Sequence, residues 1–589
     1  MIVPMQQVLL LCLASDREAT LETLRELGVL HLTPVKPPES RDLEQARARL
    51  AHIQRAVEAL PLRREAAPTG QPADAVAEKI WSLLSSQRDV QEELEELRQE
   101  RRRIEPFGSF DPTVVNELRA RGVYIRLYQA PPGRMPSVPE GVVVQTLRED
   151  QSGTFLAAIS RAPVELDAFE VRLPELSLNE LDRRISDAEG RLTATHHALE
   201  AHAGDRQALL ALAASAEETV HFVEAREGMG AAAPVTYLRG YCPKESVPAL
   251  EAKAAKMGWG VLVSDPEAGA TVPTLIRNPG WVRPIKAVFD FIGVLPGYEE
   301  IDISAVFLFF LSIFFAMLVG DAGYGLIFLA LTMWGRHKMP KAPAYPFHLL
   351  YIMSVFTIVW GAVTGSWFGA GNLPAVLDGL SVAWLKQPKN VMFLCFLIGA
   401  VHLTIAHLWI ILRAWNSPKA LAQLGWIGST WTMFFMARNL VLGESLPGWI
   451  GPLFIVSVIL IILFMTAPRD FKTEWFNHVM LPLNLVSNFV DVVSYIRLFA
   501  VGTAGFAVAS SFNKMILGGG VEGVLAGLVA GLLLFLGHAL NIMLCAMGVL
   551  VHGVRLNTLE FSSHIGMAWT GLPYRPFRRV RTEANEQEA

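Results

Sequence analysis

The sequence predicts an α+β cytoplasmic dumbbell, two α/β lobes joined by a long antiparallel coiled coil, followed by an eight-helix transmembrane domain. Three observations carry this. Apolar residues at heptad spacing fill two distant stretches before residue 230. Strand–helix–strand patterns flank and interrupt them, and from Ser304 onward apolar segments follow one another almost to the end. At 589 residues the chain is too long for a single core, and its 52% hydrophobic content averages two unlike parts. A net charge of −5, from 51 basic and 56 acidic residues, gives no sign of a nucleic-acid partner. Cys12, Cys242, Cys395 and Cys545 lie far apart, without metal, redox or disulfide spacing. The apolar run Val8–Leu13 lacks a basic stretch before it, so no signal peptide is expected and the N-terminal part is read as cytoplasmic.

Taken in order, residues 1–40 and 230–275 form the proximal lobe. Val8–Leu13 reads as a strand, Arg17–Leu27 as a helix and Val29–Leu32 as a strand opened by the Gly28 turn. The same grammar returns at Thr236–Tyr241, Ser246–Met257 and Gly260–Val263. Two such β-α-β units can close into one ferredoxin-like lobe. Between them, residues 41–105 and 176–229 form the coiled-coil hairpin. Apolar residues fall at Leu43, Ala46, Leu50, Ile53, Val57 and Leu60, resume after a Pro/Gly break at Val76, Ile80, Leu83, Val90, Leu94, Leu97 and Ile104, and return at Leu178, Leu181, Ile185, Ala188, Leu192 and Leu199. Each arm has about fifty residues, roughly 75 Å of helix. The distal lobe, 106–175, offers a helix at Thr113–Arg121 and strands at Val123–Leu127, Val142–Leu147 and Thr154–Ile159. The chain has no Gly-x-x-x-x-Gly-Lys-Ser/Thr phosphate loop, and His196-His197 on the polar arm reads as solvated. We therefore expect no nucleotide site, no metal and no cofactor in this half, whose shape suits a tether.

A linker, 276–303, leads to the transmembrane domain, 304–558, and a cytoplasmic tail, 559–589. Eight spans are expected: Ser304–Val319, Tyr324–Trp334, Phe347–Phe368, Val391–Leu412, Leu424–Val441, Ile450–Met465, Val479–Met515 and Val521–Leu556. Basic residues concentrate on every second loop. Arg336, Lys338 and Lys341 follow the second span, Arg413 and Lys419 the fourth, Arg469 and Lys472 (balanced by Asp470 and Glu474) the sixth, and Arg575, Arg578, Arg579 and Arg581 the eighth. Both termini are then cytoplasmic. Spans seven and eight exceed the roughly 20 residues that suffice to cross, so they tilt or protrude.

Arg497 stands out. A bare Arg in mid-membrane costs roughly 2.5–3.5 kcal/mol on insertion scales, and Arg cannot shed its charge. Apolar sequence extends for several turns on both sides of it, which makes snorkelling difficult. In span eight, His538, Asn541, Cys545, Gly548, His552 and Arg555 recur at 3-4-3-4-3, a polar stripe suited to a partner or a watery cavity. The blander reading is two interhelical hydrogen-bonding residues plus an interfacial Arg555. Gly320-Asp321 reads as a structural membrane turn, where a short carboxylate accepts backbone N–H bonds.

These residues resemble the membrane stator subunit of V-type (A/V-type) rotary ATPases, called subunit a in eukaryotes and subunit I in bacteria and archaea. The resemblance covers the full chain. It rests on Asp491–Gly502, which is similar to the family pattern Asp-Val-Leu-Ser-Tyr-x-Arg-Leu-x-Ala-Leu-Gly, with support from Gly320-Asp321-Ala322-Gly323-Tyr324-Gly325, Gly365-Ser366-Trp367-Phe368-Gly369, and His552-x-x-Arg555-Leu556 with Glu560. The resemblance implies a subunit without catalysis of its own that moves protons against a rotating proteolipid c-ring. Peripheral stalk subunits E and G, central stalk subunits and the lipid bilayer of a prokaryotic plasma membrane are the implied partners. A fixed charge at Arg497 favours the ionised form of each ring carboxylate, and Arg555 supplies a second one. Gly505 and Cys545 depart from eukaryotic members, which often carry His and an acid there. Asp491, Ser494, His538, Asn541, His552 and Glu560 remain as half-channel candidates. Two other readings compete. One is a polytopic secondary transporter with a cytosolic regulatory coiled coil, which ordinarily shows internal repeats not seen here. The other is a purely structural tether, which leaves Arg497 unexplained.

Overall fold

The computed structural model describes residues 1–61, 67–340, 342–371, 373–467, 469, 471–518 and 523–579. Lys341, Asp470, Val521 and Arg581, used above for loop charge and span limits, lie outside the described residues. The chain divides into two compact units. One holds Met1–Gln7, Tyr241–Ala249 and Val263–Arg575, the other Val8–Gly240, Leu250–Leu262 and Pro576–Ala589.

In the proximal lobe the strands run Gly260–Ser264, Met5–Leu13, Val235–Pro243, His31–Thr33, with Gly230–Ala232 paired to Val235–Pro243. Leaving Gly230–Ala232 aside, that order is fourth, first, third, second, the order of two interleaved β-α-β units. Gly28 ends the Arg17–Leu27 helix in the left-handed region, φ 61°, where a side chain is disfavoured.

The coiled coil consists of two stacked helix pairs. Arg41–Ala59 packs on Arg206–Glu227, and Ala73–Ile104 packs on Leu178–Ala201. The second pair is antiparallel, because Glu93 meets Arg191, Arg98 meets Glu189 and Arg101 meets Asp182. The returning arm, expected as one run, breaks at Ala203–Asp205. The cause is Asp205, which is buried. It accepts Thr69 N–H and Thr69 Oγ1–H, both at 2.7 Å, and meets His202 Nδ1 at 3.0 Å, so one carboxylate ties the breaks of both arms together. In the distal lobe the strand order is Val143–Asp150, Gly153–Ser160, Tyr124–Ala130, Phe169–Val171, all antiparallel. The three-residue last strand was too short to show an alternating pattern in the sequence.

The other unit is a helical bundle. Among the described residues, four helices are long and apolar enough to cross a membrane: Ala344–Thr364, Pro388–Arg413, Glu474–Leu517 and Val524–Ile565. Ser304–Val319 and Ile450–Phe464 are shorter and apolar. Ala322–Lys338 ends in Arg336-His337-Lys338 and has 17 residues, while Lys419–Ala437 opens on a lysine and is rich in Ser, Thr and Gly. Helices thus stand at all of the expected span positions, but among the described residues four satisfy length and hydropathy together. The eighth runs beyond its expected end at Leu556, through two π-helical stretches, Val549–Gly553 and Leu556–Phe561, to Ile565. The residues after it are not merely a tail. Leu572–Pro573 pairs in parallel with Pro273–Thr274. In the unit that holds the coiled coil, Phe577 N–H bonds Leu30 O at 2.8 Å and Arg579 meets Glu22 at 3.0 Å. Phe307, Phe314, Phe396, Tyr495, Leu498 and Phe561 form the centre of the bundle core.

Candidate functional site

The helix carrying Arg497 is interrupted at Tyr495, between Phe471–Ser494 and Ile496–Leu517. There Leu498 N–H bonds Tyr495 O at 3.1 Å, a tighter three-residue turn of the kind that marks functional positions. Two residues past the break, Arg497 Nη1 lies 3.2 Å from Glu560 Oε1, and Arg555 Nε reaches the same oxygen at 3.4 Å. The Glu560 side chain is 5% exposed, against 29% for Arg497 and 51% for Arg555. Its other oxygen, Oε2, is buried without a partner among the described residues. One buried carboxylate therefore sits between two permanent cations with acceptor capacity to spare.

Local winding makes this possible. Residues five apart on an α-helix point about 140° apart, since each residue turns about 100°. The π-helical stretch Leu556–Phe561 closes i→i+5 bonds and brings Glu560 back toward Arg555. His552 lies within electrostatic reach of both arginines.

Toward the start of the same helix, Asp491 Oδ2 meets His564 Nε2 at 3.1 Å. His564 Nδ1 meets His407 Nε2 at 3.0 Å, and His407 Nδ1 meets Gln423 Oε1 at 2.7 Å. With a carbonyl oxygen at its end, the chain has His407 donating through Nδ1 and accepting at Nε2. One proton is then shared between His564 and Asp491. Asn484, Asn488, Asp491, Glu560, His564 and Gln423 line a cavity of about 590 Å³. A second cavity, about 820 Å³, is lined by Met317, Trp360, Asp378, Lys386, Leu498 and Gly502 among others. In the loop at that cavity Lys386 Nζ donates to Asp378 at 2.6 Å, and this bond holds the Asp378 carboxyl below its usual range. On the Arg497 helix the first cavity ends at Asp491 and the second begins at Leu498. Arg497 lies in the roughly 10 Å between them.

The remaining candidates are elsewhere. Ser494 Oγ bonds Asp491 O within its own helix and joins neither cavity lining. His538 Nδ1 meets Tyr324 Oη at 2.8 Å and its Nε2 meets Asn513 Oδ1 at 3.1 Å. Asn541 donates to Tyr324 Oη and Gly505 O. Asn513 in turn donates to Phe368 O. Asn541, His538, Tyr324 and Asn513 thus satisfy one another across helices, and none of them lines either cavity.

Gly320, at φ 68°, ends the first helix of the bundle, and Asp321 caps the next. Asp321 is buried and accepts backbone N–H bonds from Gly323, Tyr324, Phe368 and Gly369 and the hydroxyl of Ser366. An amide at this position keeps the bonds to one oxygen but turns its NH₂ toward Gly369 N–H. Asp321→Asn is expected to lower the amount of extractable assembled protein, an unpaired buried N–H costing about 1–3 kcal/mol. Transport per assembled complex stays at the wild-type rate. Transport lost from a fully assembled variant would point to a direct role in ion passage instead.

His402, His407, Gln423 and His564 were not singled out from the sequence. An ionisable residue inside an apolar run was the available signal for His402 and His407, both within Pro388–Arg413.

No family model matches the chain. It is 31% identical over 635 residues to "V-type ATP synthase subunit I 1" of Treponema pallidum, covering 98% of this chain and 100% of that protein. It is 28% identical over 608 residues to "V-type ATP synthase subunit I" of Borreliella burgdorferi, covering 99% and 100%. "A-type ATP synthase subunit I" of Thermococcus kodakarensis is 26% identical over 343 residues, 53% of this chain and 48% of that one. A crystal structure of the cytoplasmic N-terminal domain of subunit I, homolog of subunit a, of V-ATPase aligns at 17% identity and a TM-score of 0.24, covering 44% of this chain and 100% of that one. A score that low carries no argument.

Proposed function

The chain belongs to the family of V-type ATP synthase I subunits, membrane components of a rotary ATPase, and from that premise we propose that it is the stator that passes protons to and from the proteolipid ring. One observation carries this reading: Arg497 sits between two separate cavities on one helix. In this reading the cavities are aqueous half-channels, one serving each side of the membrane. A ring carboxylate, neutral in lipid, ionises when it meets Arg497, because an opposite charge within about 4–6 Å lowers a carboxylate pKa by 1–3 units. Its proton leaves through one cavity, and after rotation another enters through the other. Arg497 keeps the two from joining. The polar cavity with the Asp491–His564–His407 chain is the cytoplasmic one, since it gathers residues next to the basic loops. The helices stand as eight crossings with both termini cytoplasmic.

ATP-driven acidification of inverted vesicles tests this, with and without Na⁺ and an uncoupler. Acid uptake that the uncoupler abolishes and that needs no Na⁺ is the expected result. An absolute Na⁺ requirement sinks the proton reading, and no ATP-driven uptake by an intact complex sinks the stator reading.

The soluble lobes and coiled coil tether peripheral stalk subunits E and G, while the membrane unit meets the ring and the central stalk turns beside it. Deleting the distal lobe, residues 106–175, is expected to leave membrane insertion intact while the ATP-hydrolysing head dissociates on sedimentation. A head that stays bound and coupled removes the tether assignment.

A further inference from the structure

One buried imidazole contacts both chain segments that carry the Arg497–Glu560 pair. His402 is 0% exposed, and its Nδ1 lies 2.8 Å from Tyr495 Oη. Tyr495, also 0% exposed, is the residue at the helix break, two before Arg497. The imidazole stacks on Phe561, which directly follows Glu560, with centroids 4.3 Å apart and planes 9° apart. It also stacks on Phe310 at 3.9 Å and 22°, so the two phenyl rings sandwich it. Gly399, one turn earlier on the same helix, leaves the space that Tyr495 fills. A Cβ there would come within 2.7 Å of the tyrosine ring.

We infer that His402 is a positioning residue for ion translocation: it holds the Tyr495 break and Phe561 in one register and so keeps Arg497 in place between the two cavities as the ring passes. The inference rests on the role proposed above for Arg497. The chemistry favours histidine over its substitutes. Phe keeps the two flat faces and loses the edge hydrogen bond, whereas Asn or Gln keeps the bond and loses the faces. His402 Nε2 is buried without a partner among the described residues, an unfavourable arrangement that an all-apolar packing residue avoids. Tyr495 brings a second constraint. Its hydroxyl bonds His402 while its ring packs edge-on against Phe314 and fills the Gly399 slot, so removing either end of the bond loosens the break.

The test uses the intact complex in inverted vesicles and reads protons taken up per ATP hydrolysed, normalised to assembled complex. Tyr495→Phe removes only the hydroxyl, and His402→Phe removes the other end of the bond while keeping the stack. Each is expected to assemble, to hydrolyse ATP, and to lower the coupling ratio about five-fold, the scale of one hydrogen bond. The double variant is expected to be no worse than the poorer single one, because both act through the same bond. A wild-type coupling ratio in either assembled single variant overturns the inference. So does a double-variant loss equal to the product of the two single losses, which would show independent effects on folding. Arg497→Gln in the same assay keeps the two levels apart: pumping retained there overturns the ion-translocation reading itself, while pumping lost there with a wild-type ratio in Tyr495→Phe overturns only the role of His402.

Discussion

Arg497→Gln is expected to bring proton transport to background in a complex that still assembles. Glutamine keeps most of the length and some hydrogen bonding but not the permanent charge. A ring carboxylate arriving at the stator then loses the interaction that favours its ionised form. A shift of one to three pKa units corresponds to roughly a ten- to thousand-fold change in the ionised population. Arg497→Lys is expected to fail largely as well. An ammonium is shorter, more strongly hydrated and able to deprotonate when desolvated, and it lacks the planar fork that reaches Glu560. Arg555→Gln is expected to do less harm, since the Arg555 side chain is 51% exposed and so better screened than Arg497 at 29%. ATP-driven acidification per assembled complex measures all three. Near-wild-type pumping by Arg497→Gln would remove the central claim.

Glu560→Gln is expected to slow pumping about ten-fold without uncoupling it. Two guanidinium groups share Glu560 Oε1, so this carboxylate competes with each ring carboxylate for Arg497. At 4 Å and an effective dielectric of about 20 such an attraction is about 4 kcal/mol, and the exposure of Arg497 discounts it. A residue of about 1.4 kcal/mol suffices for a factor of ten. With the competing anion gone, Arg497 holds each ring carboxylate longer, and ATP hydrolysis and proton uptake fall together. Parallel assays of hydrolysis and acidification distinguish the outcomes. Unchanged rates would show that Glu560 does not compete, and a fall in uptake with hydrolysis unchanged would place it in the barrier between cavities rather than in carboxylate release.

Much of the fold was legible because it follows from local periodicity. The Ser304–Val319 helix has the same limits in sequence and structure, as does Arg17–Leu27. An apolar run closed by Gly320, or an amphipathic period closed by Gly28, leaves the backbone little choice. The two distant β-α-β patterns likewise announced strands that lie in one sheet. Arg497 announced itself by being a permanent charge in an apolar run, a property of composition alone.

What the sequence did not disclose depends on how elements meet. A 3-4-3-4-3 stripe grouped His538 and Asn541 with Arg555, because α-helical spacing was assumed throughout. In the structure the helix turns π-helical after Gly548, and the stripe divides. His538 and Asn541 bond Tyr324, while Arg555 turns to Glu560. The break in the returning coiled-coil arm came from Asp205 meeting Thr69, 136 positions away. His407 and His564 lie 157 positions apart and became one chain with Asp491 only when three helices packed. Local spacing determines which residues share a face of one helix. Which faces then meet is settled by packing, and by the requirement that a buried polar group find a partner wherever in the chain one is available.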